Sequence, residues 1–373
     1  MQACETPFGS LQLDRYPPTN NPTLQPFDAA DLYLLQTIAD ERRPESVLVV
    51  NDNFGTLACA LSLAGIQVTS WSDSHLAERA LLLNAQANNL TTQPPTFVPN
   101  SDIPAGSYDR VLLRIPKSLA LLEDQLSRLR PLLNPGTRLS AGAMLKHLPH
   151  SAGDLIAKYI GPYQASLAWK KARLLTAQLD SRLTPSPAQL TTRYALPGTP
   201  VELVNYPGVF SRERLDIGTR VLLPCIPKLS GNARIVDLGC GNGALGIQAA
   251  LINPEASLSF VDESFAAIAS AKHNFTCAQP GRPAHFIISD GLIDAPVRSA
   301  ELILCNPPFH HQQVMGDEIA LRMFAQSRRT LVEGGSLLVV GNRHLGYHAK
   351  LRRSFRYVEQ IGGNGKFVVL RAS

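Results

Sequence analysis

One order of elements is written into the chain twice, and that duplication limits the fold more than any total does. The segment "SVLVVNDNFGTLACAL" (Ser46 to Leu61) is an apolar run, a turn rich in Asn and Gly, and then a helical pattern; "ARIVDLGCGNGALGIQAA" (Ala233 to Ala250) reads the same way. Further on, "VTSWSDSHLAERALLLNAQANN" and "LSFVDESFAAIASAKHNF" each give a strand ending in Asp and then a helix. A third parallel joins "YDRVLLRIPKSLALLEDQLSRLRPLLNPGTRLSAGA" to "AELILCNPPF…AQSRRTLVEGGSLLVVGNR", where a strand ends in Pro, a helix follows, and a Pro-Gly or Gly-Gly turn leads into another strand. Strands that alternate with helices over such lengths form parallel, doubly wound sheets. The expected fold is α/β, with two tandem doubly wound Rossmann-like domains. The Pro-, Ser- and Thr-rich stretch "SRLTPSPAQLTTRYALPGTP" suits a connection and predicts domains at 1–195 and 196–373.

A chain of 373 residues is long enough for two domains that each bury a core. Its first residues, "MQACETPFGS", carry neither a basic n-region nor an apolar h-region, and no uncharged apolar run approaches the ~18 residues of a membrane span. A cytoplasmic protein with no membrane partner is expected. Cys4, Cys59, Cys225, Cys240, Cys277 and Cys305 are scattered without a C-x-x-C pair, which argues against a zinc site or a disulfide framework and predicts buried thiols in a reducing compartment. No metal is predicted. The net charge of +5 is unevenly distributed: residues 1–109 hold 4 Lys/Arg against 12 Asp/Glu, residues 110–175 hold 11 against 3, and residues 320–373 hold 10 against 2. The two basic segments form either a phosphate-binding face or two solvated helical faces.

In "VDLGCGNG", Gly239, Gly241 and Gly243 sit between a strand and a helix, where the backbone must turn tightly and can approach a ligand closely. The spacing is not that of the dinucleotide fingerprint. Asp237, just before the glycines, would repel a pyrophosphate but could receive the ammonium of an amino acid, directly or through water. Asp262, ending the next strand, has the position of an acid that bonds ribose hydroxyls. Asp290, in "FIISDGL", could accept from the exocyclic amine of an adenine. An adenine, a ribose and an amino-acid end describe S-adenosylmethionine.

The run "LILCNPPFHH" ends a strand in Asn306, Pro307, Pro308 and Phe309. A methyl donor needs a nucleophile held in line with it. The side-chain carbonyl of Asn306 and the backbone carbonyl of Pro307 can accept both N–H groups of a conjugated amine. Phe309 can stack on a planar acceptor, and Pro308 fixes the turn. His310 and His311 are given no role. In the first half a gapless match of Gly55 to Gly243 puts Val49 at Asp237, Asn51 at Gly239 and Asn53 at Gly241, and Arg114-Ile115-Pro116-Lys117 replaces Asn-Pro-Pro-Phe. That half should keep the fold and lose the reaction. Its cations Arg114, Lys117, Lys146 and Lys158, with the cluster Trp169, Lys170, Lys171 and Arg173, suit RNA backbone and base stacking or simply solubilise a helix.

"VFSRERLDIGTRVLL", "VDLGCGNG", "CNPPFHHQ", "LLRIPKSLALLE" and "LAWKKARL" together resemble the ribosomal RNA guanine-N2 methyltransferases of the RlmG/RsmC type, over essentially the whole chain. The last two stretches are closer to the large-subunit (23S) branch than to its small-subunit relative. The resemblance implies two methyltransferase domains, the N-terminal one degenerate and used for RNA recognition. It implies that Gly239, Gly241, Asp262 and Asp290 hold S-adenosylmethionine and that Asn306 to Phe309 hold a flipped guanine of 23S ribosomal RNA; Asp237, Gly243 and Asn306 are further cofactor-binding candidates. It also implies that the segment around Phe210 closes over the site. A base inside a duplex could not reach the donor, so the target must be unpaired or extruded. Asn-Pro-Pro-Phe alone is also similar to motifs of adenine-N6 and protein-glutamine methyltransferases. Methylation of 16S RNA, of an RNA adenine N6 or of a protein glutamine therefore stays open, as does an RNA-binding assembly factor without turnover.

Overall fold

The computed structural model describes residues 1–19, 21–186, 188, 190–308 and 313–373. The chain divides into two compact units, Met1–Leu190 and Thr191–Ser373. The break falls before the expected position near residue 195, because strand Thr192–Ala195 pairs antiparallel with Glu202–Asn205 of the second unit. A segment rich in Pro and Ser reads as a linker throughout, and the pairing of its last residues was not visible in their composition.

In the second unit a seven-stranded sheet runs in the order His285–Ile288, Ser257–Asp262, Arg234–Leu238, Ala300–Cys305, Leu331–Asn342, Phe367–Ala372, Val358–Gly363. The first five are parallel, and Phe367–Ala372 is antiparallel to both of its neighbours. The central strands are apolar on both faces, as a sheet covered by helices on each side requires. Ile235 and Leu304 enter one apolar cluster with Phe260 and Phe275, while Val236, Leu238 and Ile303 enter another with Phe324 and Val339. That alternation is the period-two pattern of a strand.

The first unit repeats this order with Thr96–Pro99, Gln67–Ser72, Ser46–Val50, Arg110–Arg114, Arg138–Met144, Ala172–Gln178, Tyr163–Ala165. Its sheet is likewise parallel up to an antiparallel strand, Ala172–Gln178. In each unit the chain order reverses beside the first strand, so Leu238 lies against Cys305 and Val50 against Leu113. This reversal opens a crevice at the carboxyl ends of the two strands, where doubly wound sheets bind ligands. The two pairings also place Asn51 at Gly239 and Arg114 at Asn306, in agreement with the gapless match.

Among the described residues no helix is long and apolar enough to cross a membrane, and no group of His, Cys, Asp and Glu could hold a metal ion. Cys4, Cys59, Cys240 and Cys305 are buried as expected, but Cys225 is half-buried and Cys277 is exposed on helix Phe265–Ala278. The helix turns Cys277 outward.

Candidate active site

The glycine loop leaves the buried strand Arg234–Leu238 and enters helix Ala244–Ile252. Gly239 and Cys240 donate to the Val261 carbonyl at 2.8 and 3.0 Å, which pins the loop to the end of the neighbouring strand. Gly243 caps the helix at φ +84°, and a Cβ there would lie 3.2 Å from Ala271. Gly241 has a φ of +54° and open space where a Cβ would stand. Gly243 therefore serves close packing, and Gly241 leaves room on the side facing the crevice.

The acids hold this loop from below. Asp262 accepts from the Gly241 amide at 2.9 Å and from Ser264 at 3.0 Å, and burial raises its carboxyl above the ordinary value against these hydrogen bonds. Asp237 is only 1% exposed and accepts from the Gly246 amide at 2.8 Å, in the first turn of the helix. Its other oxygen is buried with no hydrogen-bond partner. Burial pushes the carboxyl up to about 8, offset in part by the Gly246 amide and reinforced by the charge of Asp262. Asp237 lies beneath the loop with one oxygen engaged by the helix and the other without a partner. Asp290 is also buried, and Arg322 reaches its carboxylate at 2.7 Å. The sequence did not identify that partner, which engages one of the two carboxylate oxygens.

A cleft opens above the loop, lined by Tyr194, Phe210, Asp216, Thr219, Gly241 and Asn306 among others. Asn306 follows strand Ala300–Cys305 directly, as the run "LILCNPPFHH" predicts. Its side-chain nitrogen donates to Asp216 and to the Thr219 hydroxyl, both at 2.9 Å. Its side-chain oxygen is buried with no partner. Pro307 is buried and Pro308 half-buried. The expectations for Phe309, and the adjacent His310 and His311, fall outside the described residues.

Phe210, 52% exposed, sits on the cleft next to Ser211, whose φ is +56°. A hydrogen-bond chain ties this segment to the glycine loop. Asn242 donates to the Tyr194 hydroxyl and to Asn205, each at 2.7 Å, and Tyr194 donates to the Ser211 carbonyl. Asp216, Thr219, Tyr194 and Asn242 were missed as site residues. Asp216 carries a readable signal, the Asp-x-x-Thr of a helix start, but not its second partner.

The same crevice in the first unit is filled from within. Asn51, at φ +62°, donates to the Arg114 carbonyl at 3.1 Å and exchanges two 2.8 Å hydrogen bonds with Gln125. Asp52 accepts from Ala58 at 2.9 Å, so an acid still holds the start of the helix, displaced from the strand into the loop. Arg114 forms two hydrogen bonds with Asp28, at 2.7 and 2.8 Å, and reaches Asp31 at 3.0 Å. The Arg114 side chain is 17% exposed, and its charge is met by these two acids. Lys158 is bound to Glu123 at 2.7 Å, and Arg173 is half-buried in its strand.

Lys117, Lys146, Lys170 and Lys171 are exposed and lie at the carboxyl edge of the first sheet, since Met144 pairs with Ala172 and Arg114 with Gly142. Partial burial and the charges of Lys146 and Lys117 pull the His147 imidazole down. Trp169 is 38% exposed beside Tyr33, with the Lys170 ammonium 4.6 Å from the centre of its ring.

A seven-stranded sheet with a glycine loop, acids after successive strands and an Asn-Pro-Pro end is the architecture of a Rossmann-like methyltransferase. Residues 200–371 match the methyltransferase small domain, and residues 1–181 match the RLMG N-terminal domain. Ribosomal RNA large subunit methyltransferase G of Ectopseudomonas mendocina (strain ymp) is 54% identical over 371 residues, spanning 99% of this chain and 98% of its own. That of Pseudomonas putida (strain GB-1) is 54% identical over 377 residues and 100% of both chains. The chain belongs to the ribosomal RNA large subunit methyltransferase G family. In fold it is similar to the T. Thermophilus 16S rRNA N2 methyltransferase (RsmC), solved in complex with AdoMet and guanosine: 21% identity, TM-score 0.79, 100% of this chain and 97% of that one.

Proposed function

We propose that this protein transfers a methyl group from S-adenosylmethionine to the exocyclic N2 of an unpaired or flipped guanine in 23S ribosomal RNA, in the cytoplasm. The observation that carries the reading is the buried, unpartnered side-chain oxygen of Asn306, one strand away from the glycine loop. An unmade hydrogen bond at a buried acceptor costs about 1–3 kcal/mol, and a ligand amine would supply it. The orphan oxygen of Asp237 and the open side of Gly241 fit a bound S-adenosylmethionine.

When bound, S-adenosylmethionine supplies a methyl group on a sulfonium centre. Gly239 and Gly241 line the cleft in which it would lie, Asp262 fixes the Gly241 amide, Asp237 holds the helix behind the loop, and Asp290 follows the edge strand His285–Ile288. Asn306 and the Pro307 carbonyl accept the two N–H bonds of the amine, whose lone pair is otherwise delocalised into the base. These acceptors favour a nitrogen that is becoming tetrahedral, so they act most strongly in the transition state. The methylated nitrogen then loses one proton to water, and no protein base is needed. An acceptor-only clamp selects an exocyclic amine over a carbonyl, and RNA is held by Lys117, Lys146, Lys170, Lys171 and Trp169 of the first unit.

The test is transfer of labelled methyl to purified 23S and 16S RNA in parallel, followed by nucleoside analysis. N2-methylguanosine in 23S RNA alone is expected. Label in 16S RNA, in N6-methyladenosine or in neither RNA would overturn the assignment.

A further inference from the structure

The amide of Asn306 is nearly symmetric in shape, so something must decide which end faces the acceptor base. Asp216 is the N-cap of helix Ile217–Leu222, and its Oδ2 accepts from the Thr219 backbone N–H at 2.9 Å. The same oxygen accepts from the Asn306 amide nitrogen at 2.9 Å. A carboxylate cannot donate a hydrogen bond. Asn306 must therefore turn its NH₂ toward Asp216, and its carbonyl oxygen is left as the buried group without a partner. The Thr219 hydroxyl takes the second amide hydrogen at 2.9 Å.

The first unit carries the same arrangement with its chemistry changed. Asp28 caps helix Ala29–Ala39 as Asp216 caps its own helix, and Asp31, like Thr219, is the third residue of the turn. There the strand-end residue is Arg114, and it donates to both acids. In each unit an acid at the helix cap fixes the donor end of the residue that terminates the fourth strand.

We propose that Asp216 is a positioning residue for methyl transfer, assisted by Thr219: it locks Asn306 with its carbonyl oxygen toward the acceptor amine. This rests on the reading that Asn306 accepts a hydrogen bond from guanine N2. An amide released from Asp216 can turn its NH₂ to the guanine amine, where two donors meet and the clamp is lost. Selectivity for an amine over a carbonyl is thereby set outside the Asn-Pro-Pro-Phe motif.

Asp216→Ser separates this role from helix capping. Serine caps about as well as aspartate but is too short to reach Asn306. We expect unchanged melting temperature, unchanged binding of S-adenosylmethionine by calorimetry and unchanged KM for RNA, with kcat lower by roughly 10- to 100-fold. Asp216→Asn, whose amide oxygen can take both hydrogen bonds, restores most of the turnover. Thr219→Val keeps the backbone cap bond, removes the hydroxyl and lowers kcat more mildly. Wild-type kcat in Asp216→Ser overturns the proposal. So do equal losses of kcat in the Ser and Asn variants, and a loss that tracks a lowered melting temperature. A wild-type protein that forms no N2-methylguanosine removes instead the reading beneath it, an outcome distinct from active wild type with an unaffected variant.

Discussion

Asp237 shows how a single buried acid couples stability to ligand binding. Its carboxyl is raised to about 8 against an ordinary value near 3.8, so the unfolded chain gives up this proton at lower pH than the native protein does. The native state then binds more protons between these limits, and stability falls as pH rises from about 4 to 8. Asp237→Asn can keep the hydrogen bond from Gly246 while removing that cost. Thermal denaturation of the ligand-free protein should show no difference from wild type near pH 4 and a gain of about 5 °C at pH 8. Calorimetry at pH 8 should show weaker binding of S-adenosylmethionine in the variant. A gain that does not grow with pH would contradict the assigned burial effect. Residues of this kind were only half legible in sequence. The glycines stand out because a strand-to-helix turn with φ above zero favours them locally, and Asp237 because it is an acid just before them. Asp216 did not, because its partner Asn306 is 90 residues away and only the folded sheet brings them together.

At the scale of elements, the tip Trp169–Ala172 is a two-residue turn closed by reciprocal backbone hydrogen bonds of 2.9 and 2.8 Å. Lys170 and Lys171 form its centre, with φ of +46° and +64°. Asn-Gly is the favoured pair in such a turn, and a lysine in this conformation costs about 1 kcal/mol or more. Strain kept at an exposed pair of cations beside an exposed tryptophan points to contact with a ligand. Replacing the pair by Asn-Gly should raise the melting temperature by a few degrees and weaken RNA binding, with the salt slope of log K reduced by up to about 2. Isothermal unfolding and filter binding over a salt series would measure both effects. Raised stability with an unchanged salt slope would show that these lysines only solubilise the hairpin. The sequence located the cations but not the strain, because consecutive lysines are ordinary in a helix and unusual only once the backbone is known.

At the scale of the whole molecule, duplication made the fold readable: two imperfect copies of one element order confirm each other, down to the register of Val50 with Leu113 and Leu238 with Cys305. The loss of glycines in the first copy was equally plain. What sequence could not show was the pairing of Arg114, since counting charges along a chain cannot tell that a cation is bound to an acid 86 residues away. The first crevice carries Asp28, Asp31, Asp52 and Arg114 in contact or close by, with Asp28 held low by the Arg114 hydrogen bonds despite burial and Asp31 raised to about 7 by burial. Asn51 and Arg114 occupy positions that in the second unit are a glycine and the clamp amide. Calorimetry should therefore find one molecule of S-adenosylmethionine per chain. Arg114→Asn should not create a second site, because Asn51 still fills the turn and the acids of the helix cap remain. It should instead destabilise the first unit by about 3 kcal/mol at pH 8, since breaking a largely buried pair leaves Asp28 and Asp31 without their cation. The loss should shrink on acidification through the range in which Asp31 becomes neutral, because a protonated Asp31 needs no counter-charge. Binding of two molecules per chain, or a loss of stability independent of pH, would show that Arg114 does not serve as the internal occupant of the altered site.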